Sequence, residues 1–149
     1  MTMNMNTMRS TLSCMLACML LAANALAQPE NAVRLSTEAI KQSFANVCDN
    51  AEVQDAAGTT ASNAWYADGR LVNRWSNGER SGTVTGQWSA KAGLRCVVIL
   101  TGLPAAEGNR RCSPVYRAGS DYFSINPDGS VHGIHRLTPM DAPGANCIR

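Results

Sequence analysis

The chain has 149 residues, room for one ordinary domain and too few for two of the usual size. Thirteen Lys and Arg stand against eleven Asp and Glu. That near balance excludes a strongly basic nucleic-acid binder and an acidic disordered tail.

Residues 1–27 read as a secretory signal peptide. A polar start with the single cation Arg9 precedes the apolar run TLSCMLACMLLAA at 11–23, and Ala25-Leu26-Ala27 supplies small residues where a signal peptidase cuts. The run is shorter than the roughly 20 residues a permanent membrane helix needs, so no transmembrane segment is expected after cleavage. Cys18 as a lipid-anchored residue is the alternative, on a poor lipobox. Removing 1–27 takes away Cys14, Cys18 and every methionine except Met140, and leaves Cys48, Cys96, Cys112 and Cys147. An even number of cysteines in an exported chain points to two disulfides. No two of the four lie close enough to form the short ligand pairs of a zinc site. The expected location is the periplasm or outside the cell.

Residues 28–34, with Pro29 and no periodic pattern, are expected to form a loose leader, and 35–149 a single disulfide-stabilised β-rich domain. Ser36 is a good helix N-cap, Glu38 sits in the first turn, and Ile40, Phe44, Val47 and Cys48 recur at helical spacing. This predicts one short helix ending near Cys48, with its apolar stripe facing the core. From about residue 62 the period changes to two, and turn signals recur at Asp68-Gly69, Asn77-Gly78, Ala92-Gly93, Gly119 and Asp128-Gly129. Strands are expected over 62–67, 71–76, 82–90, 94–101, 110–117, 121–126 and 131–137. The fold class is mainly β, an antiparallel meander forming a small barrel or curved sheet, with one N-terminal helix closing an end.

Alternation turns Val84, Gly86 and Trp88 inward, with Gly86 marking a bend or a close backbone approach. Val97 and Ile99 make one face of their strand apolar and Leu94, Cys96, Val98 and Leu100 the other, so that strand is expected to be central or covered on both faces. Pro114 marks an edge or a bulge. A hairpin over 102–108 sets Cys96 opposite Cys112, where a cross-strand bridge is reasonable. Cys48 with Cys147 is the remaining pair.

Signals of catalysis are sparse. His132 and His135, the only histidines, fall on opposite faces of a strand, which disfavours a shared metal. No nucleophile elbow or Ser-x-x-Lys occurs. No cofactor is expected. Arg95, Arg110, Arg111 and Arg117 gather on neighbouring strands, as an anionic docking patch or as a solvated, edge-protecting face. Some of the aromatic residues must fill the core, and a cluster at an open end would make a ligand or partner site.

In order, LSTEAIKQSF (35–44), WYADGR (65–70), GQWSA (86–90), LRCVV (94–98), CSPVYRAG (112–119) and DYFSINPDG (121–129) resemble a family of small exported proteobacterial proteins known only as a domain of unknown function. The resemblance covers roughly 35–137 and implies a lipocalin-like or related β-architecture outside the cytoplasm, with no activity attached. The chain departs from that pattern at Val97, where an aromatic residue is common, and in carrying Cys48 and Cys147.

The leading expectation is a non-enzymatic exported domain that binds an unknown protein or small ligand, with Trp65, Trp75, Tyr122 and Arg111 as the binding candidates. One alternative is an inhibitor of a secreted hydrolase, using the loop 101–109 with Pro104 as a wedge. The other is a small hydrolytic or metal-dependent enzyme built on His132 and His135.

Overall fold

A computed structural model of the chain describes residues 27–142 and Cys147. The export segment read on 1–27 lies, apart from Ala27, outside the described residues. The elements are β1 (Val33–Arg34), α1 (Thr37–Phe44), β2 (Val47–Val53), β3 (Thr60–Trp65), β4 (Arg70–Ser76), β5 (Ser81–Lys91) and β6 (Leu94–Thr101). A 3-10 turn at Pro104–Ala106 is followed by β7 (Arg110–Ser113), β8 (Val115–Ala118), β9 (Asp121–Ile125) and β10 (Val131–Pro139). The strands form one ten-stranded sheet in the order β1-β8-β9-β10-β2-β3-β4-β5-β6-β7, with every neighbouring pair antiparallel.

That order makes the fold two meanders joined through β10 and β2. β7 ends one side of the sheet and β8 lies next to the strand that ends the other. Pro114 alone separates them in sequence, so the sheet must curl until its two ends approach, and it does so as a half-barrel. Pro114 has no N–H for a ladder, and here it marks the corner at which the chain passes from one end of the sheet to the other. The mainly β, curled sheet with one helix is thus the expected fold class, with ten strands in place of seven.

Three expectations need correction. The helix stops at Phe44, not near Cys48: Asn46 adopts a left-handed φ of 56°, which asparagine tolerates better than most residues, and the chain turns directly into β2. Cys48 accordingly sits on a strand. The leader is not wholly loose, because Val33 and Arg34 pair with Arg117 and Tyr116. The strand 94–101 is next to the edge of the sheet rather than central. Its outer face carries Leu100, which is nearly half exposed.

Other expectations hold. Ser36 caps α1 by accepting from the Ala39 amide at 3.2 Å. Val84, Gly86 and Trp88 are the buried positions along β5. Gly86 lies at a register shift, and a Cβ there would stand 2.7 Å from the Val98 carbonyl oxygen. Cys96 pairs directly with Cys112 across β6 and β7 and is disulfide-bonded to it, and Cys48 is bonded to Cys147. Two such bonds are what an oxidising compartment forms and keeps.

α1 packs at one end of the half-barrel. Phe44, fully buried, makes edge contacts with Trp65 at 5.4 Å and Tyr122 at 5.8 Å, and lies 6.5 Å from Trp88. Thr37 ties the helix to the β5–β6 turn by accepting from the Gly93 amide at 2.7 Å. Ile40, Val47, Leu71 and Val115 complete this core. Among the described residues no helix is long and apolar enough to cross a membrane.

Candidate functional site

Beyond this plug, the interior of the half-barrel is hollow. A cavity of about 540 Å³ is lined from β2 to β7 and from β10, within the range of small-molecule sites. Its walls carry Val53, Ala61, Leu71, Val84, Val97 and Ile99. The β6–β7 loop contributes Leu103, Ala106 and Asn109, and the β9–β10 turn contributes Asn126 and Pro127. These lie at the end of the strands away from α1 and form the rim. The loop is held in place by Gly108 donating to the Ile99 carbonyl at 2.9 Å.

Polar groups converge at the deep end. Asp49 of β2, 1% exposed, accepts at Oδ2 from His135 Nδ1 (2.8 Å), Asn63 Nδ2 (2.9 Å) and Trp65 Nε1 (3.0 Å). Asn73 in turn donates to Asn63 at 2.6 Å. Alternation places Asp49 on the inward face of β2 between Val47 and Ala51, while β3 sends Asn63 and Trp65 in from the next strand. On the far side of the imidazole, His135 Nε2 lies 3.2 Å from Arg95 Nη2 and 3.1 Å from Ser124 Oγ. The Arg95 guanidinium stands 4.6 Å from the Phe44 ring centre and 4.7 Å from that of Trp65, the cation–π arrangement that suits a partly desolvated arginine.

The charge states follow from these contacts. Burial pushes the His135 imidazole below its ordinary value, Asp49 pulls it upward, and Arg95 reinforces the downward shift. The ring is neutral, with Nδ1–H donating to Asp49 and Nε2 accepting. Burial disfavours the Asp49 carboxylate, but His135, Trp65 and Arg95 more than offset this and hold its pKa below the usual range. Arg95 is pushed down by burial to about 10, with Asp49 opposing the shift, so it stays a cation at neutral pH.

His135 therefore makes stability depend on pH. Its folded pKa lies below the ordinary 6.5, so the stabilisation is complete above that value and is lost as pH falls beneath it, where the unfolded chain takes up a proton that the folded chain refuses. Asp49 acts in the same direction at lower pH, below its ordinary 3.8. The urea midpoint of the wild type is expected to drop between pH 7.5 and 5.0. The His135→Asn variant, whose amide can replace Nδ1–H, should show a flatter profile, and an equally steep one would contradict this assignment. A His132→Asn control isolates the second histidine, whose pKa is also lowered, first by desolvation and then by neighbouring positive charge.

Asp49, His135 and Ser124 reproduce the contact order of a Ser-His-Asp relay. Yet Ser124 is completely buried and does not line the cavity. Arg95 also points a donor at the Nε2 that would have to receive a serine proton. No group of three or more His, Cys, Asp and Glu positioned for a metal occurs among the described residues.

Two of the four binding candidates, Trp65 and Arg111, line this one cavity, Trp65 deep and Arg111 at the exposed rim. Trp75 lies over Gly82 and lines a separate groove with Glu52 and Arg136. Tyr122 packs on Phe44 and under Arg117 near α1. His135 points inward and is hydrogen-bonded, while His132 is exposed on the alternate position of β10, close enough to the register shift there to reach the rim. The sequence reading missed Arg95 as an interior group, along with Asp49, Asn63 and Ser124. For Arg95 a signal existed, since period two sets it on one face with Val97 and Ile99.

Comparison with protein families, with curated proteins and with solved structures returns no match.

Proposed function

We propose that the protein is an exported binding domain, periplasmic or secreted, that holds a small, largely apolar ligand inside the half-barrel. The observation that carries this reading is the cavity itself: about 540 Å³, walled by aliphatic side chains, with a few oriented polar groups at its floor. That combination is the usual make-up of a small-molecule site. The two disulfides and the resemblance to small exported proteins support the location. The loop 101–109, offered above as an inhibitor wedge, turns Leu103 and Ala106 toward the cavity and is better read as its rim.

The Asp49–His135–Ser124 contacts favour a hydrolase as the second reading. Burial of Ser124 and the competing Arg95 donor weigh against it, and a fluorophosphonate probe is expected to leave Ser124 unlabelled.

The neutral fluorophore N-phenyl-1-naphthylamine tests the first reading. Its emission should rise and shift to the blue on saturable, one-to-one binding. Ile99→Trp, which adds bulk to a partly exposed wall position, should weaken binding at least tenfold. Absence of saturable binding, or an Ile99→Trp variant that binds equally well, would overturn the proposal.

A further inference from the structure

The cavity's charge is one-sided. Arg95 and Arg111 bring positive charge to its lining, His132 and His135 line it beside them, and no aspartate or glutamate does. The balancing carboxylate, Asp49, lies behind His135 and Asn63, where it is saturated at Oδ2 and absent from the cavity wall. A ligand in the cavity therefore meets the guanidinium and not its counter-charge. Arg95 is only 7% exposed, and its Nη1 has no hydrogen-bond partner among the described residues. Buried guanidinium donors are ordinarily paired, so an unused one on a side chain that lines the cavity's deep end calls for an acceptor. Low-dielectric walls strengthen the attraction, and arginine's planar fork matches a carboxylate.

We infer that the ligand is an amphipathic anion: an apolar body against the aliphatic walls, and an oxyanion head group of the carboxylate type at Arg95. Arg111 at the rim attracts the same charge during entry. This rests on the reading of the half-barrel as a ligand cup and adds the chemical class of what fills it.

The test displaces bound N-phenyl-1-naphthylamine from the wild-type protein with decanoate, decanol and decyltrimethylammonium, which share a chain and differ in head group. Decanoate is expected to compete at a concentration at least tenfold lower than decanol, and the cation should be weakest. Arg95→Gln should reduce decanoate's advantage to less than threefold while decanol is unaffected. The exposed Arg111→Gln should lower it by a smaller factor. If Arg95→Gln does not fold, the head-group series on the wild type still decides the question. Equal competition by decanoate and decanol overturns the anion assignment and leaves the cup standing. Failure of the neutral fluorophore to bind at all overturns the cup.

Discussion

Replacing Asp49 with alanine is expected to destabilise the protein by about 3 to 5 kcal/mol, the cost of removing one partner of a buried charged network. The side chain is almost wholly inaccessible, and its Oδ2 atom satisfies three donors from two different strands: the His135 imidazole of β10 and the Asn63 amide and Trp65 indole of β3. Deleting it strands those donors and leaves the Arg95 guanidinium in the interior without its counter-charge. Asp49→Asn keeps an acceptor and should cost less, about 1 to 3 kcal/mol. The double variant Asp49→Leu, Arg95→Met removes both charges, and should be less destabilised than the sum of its single variants because neither charge is left alone. Urea unfolding followed by tryptophan fluorescence measures all five single and double variants, with Trp65 and Trp88 in the core as reporters. An Asp49→Ala variant within 1 kcal/mol of the wild type would mean that the network contributes little to the fold.

The same residues show why the site was harder to read than the sheet. Hairpins announce themselves locally: Gly69, Gly78, Gly93, Gly119 and Gly129 all take the positive φ that their turns require, and each signal lies within four residues of sequence. The Cys96–Cys112 bridge followed from symmetry about one hairpin. Asp49 has no such local signature, since its partners stand 14, 16 and 86 residues away. Its presence among Val47, Ala51 and Val53 also breaks the inward apolar alternation by which β2 could have been recognised, so that Val47 and Cys48 read as a continuation of the helical stripe. Arg95 was legible by period but not by polarity. A charged side chain argues for solvent unless the sequence names its counter-ion, and here the counter-ion is on another strand. Asn46 is the one missed signal that was local, because an asparagine at the end of an apolar helical stripe is a stop.

The second large effect concerns Cys48–Cys147, whose members are 99 residues apart. Removing it by the double substitution Cys48→Ala, Cys147→Ala is expected to cost about 4 to 5 kcal/mol, since a cross-link closing a loop of that length strongly restricts the unfolded chain. Cys96–Cys112 spans only 16 residues, and its removal should cost about 3 kcal/mol at most on the same account. Position adds to the difference. Cys96 and Cys112 join strands already paired by the β6–β7 ladder, whereas Cys48 sits beside Asp49 on β2, the strand that connects the two meanders through β10. If the effect acts through the unfolded chain, losing the long cross-link should also raise the urea m-value, because more surface becomes exposed on unfolding. Parallel urea titrations of the two cysteine-pair variants decide this. A smaller loss for Cys48–Cys147 than for Cys96–Cys112, with unchanged m-values, would place the stabilisation in native contacts rather than in loop closure.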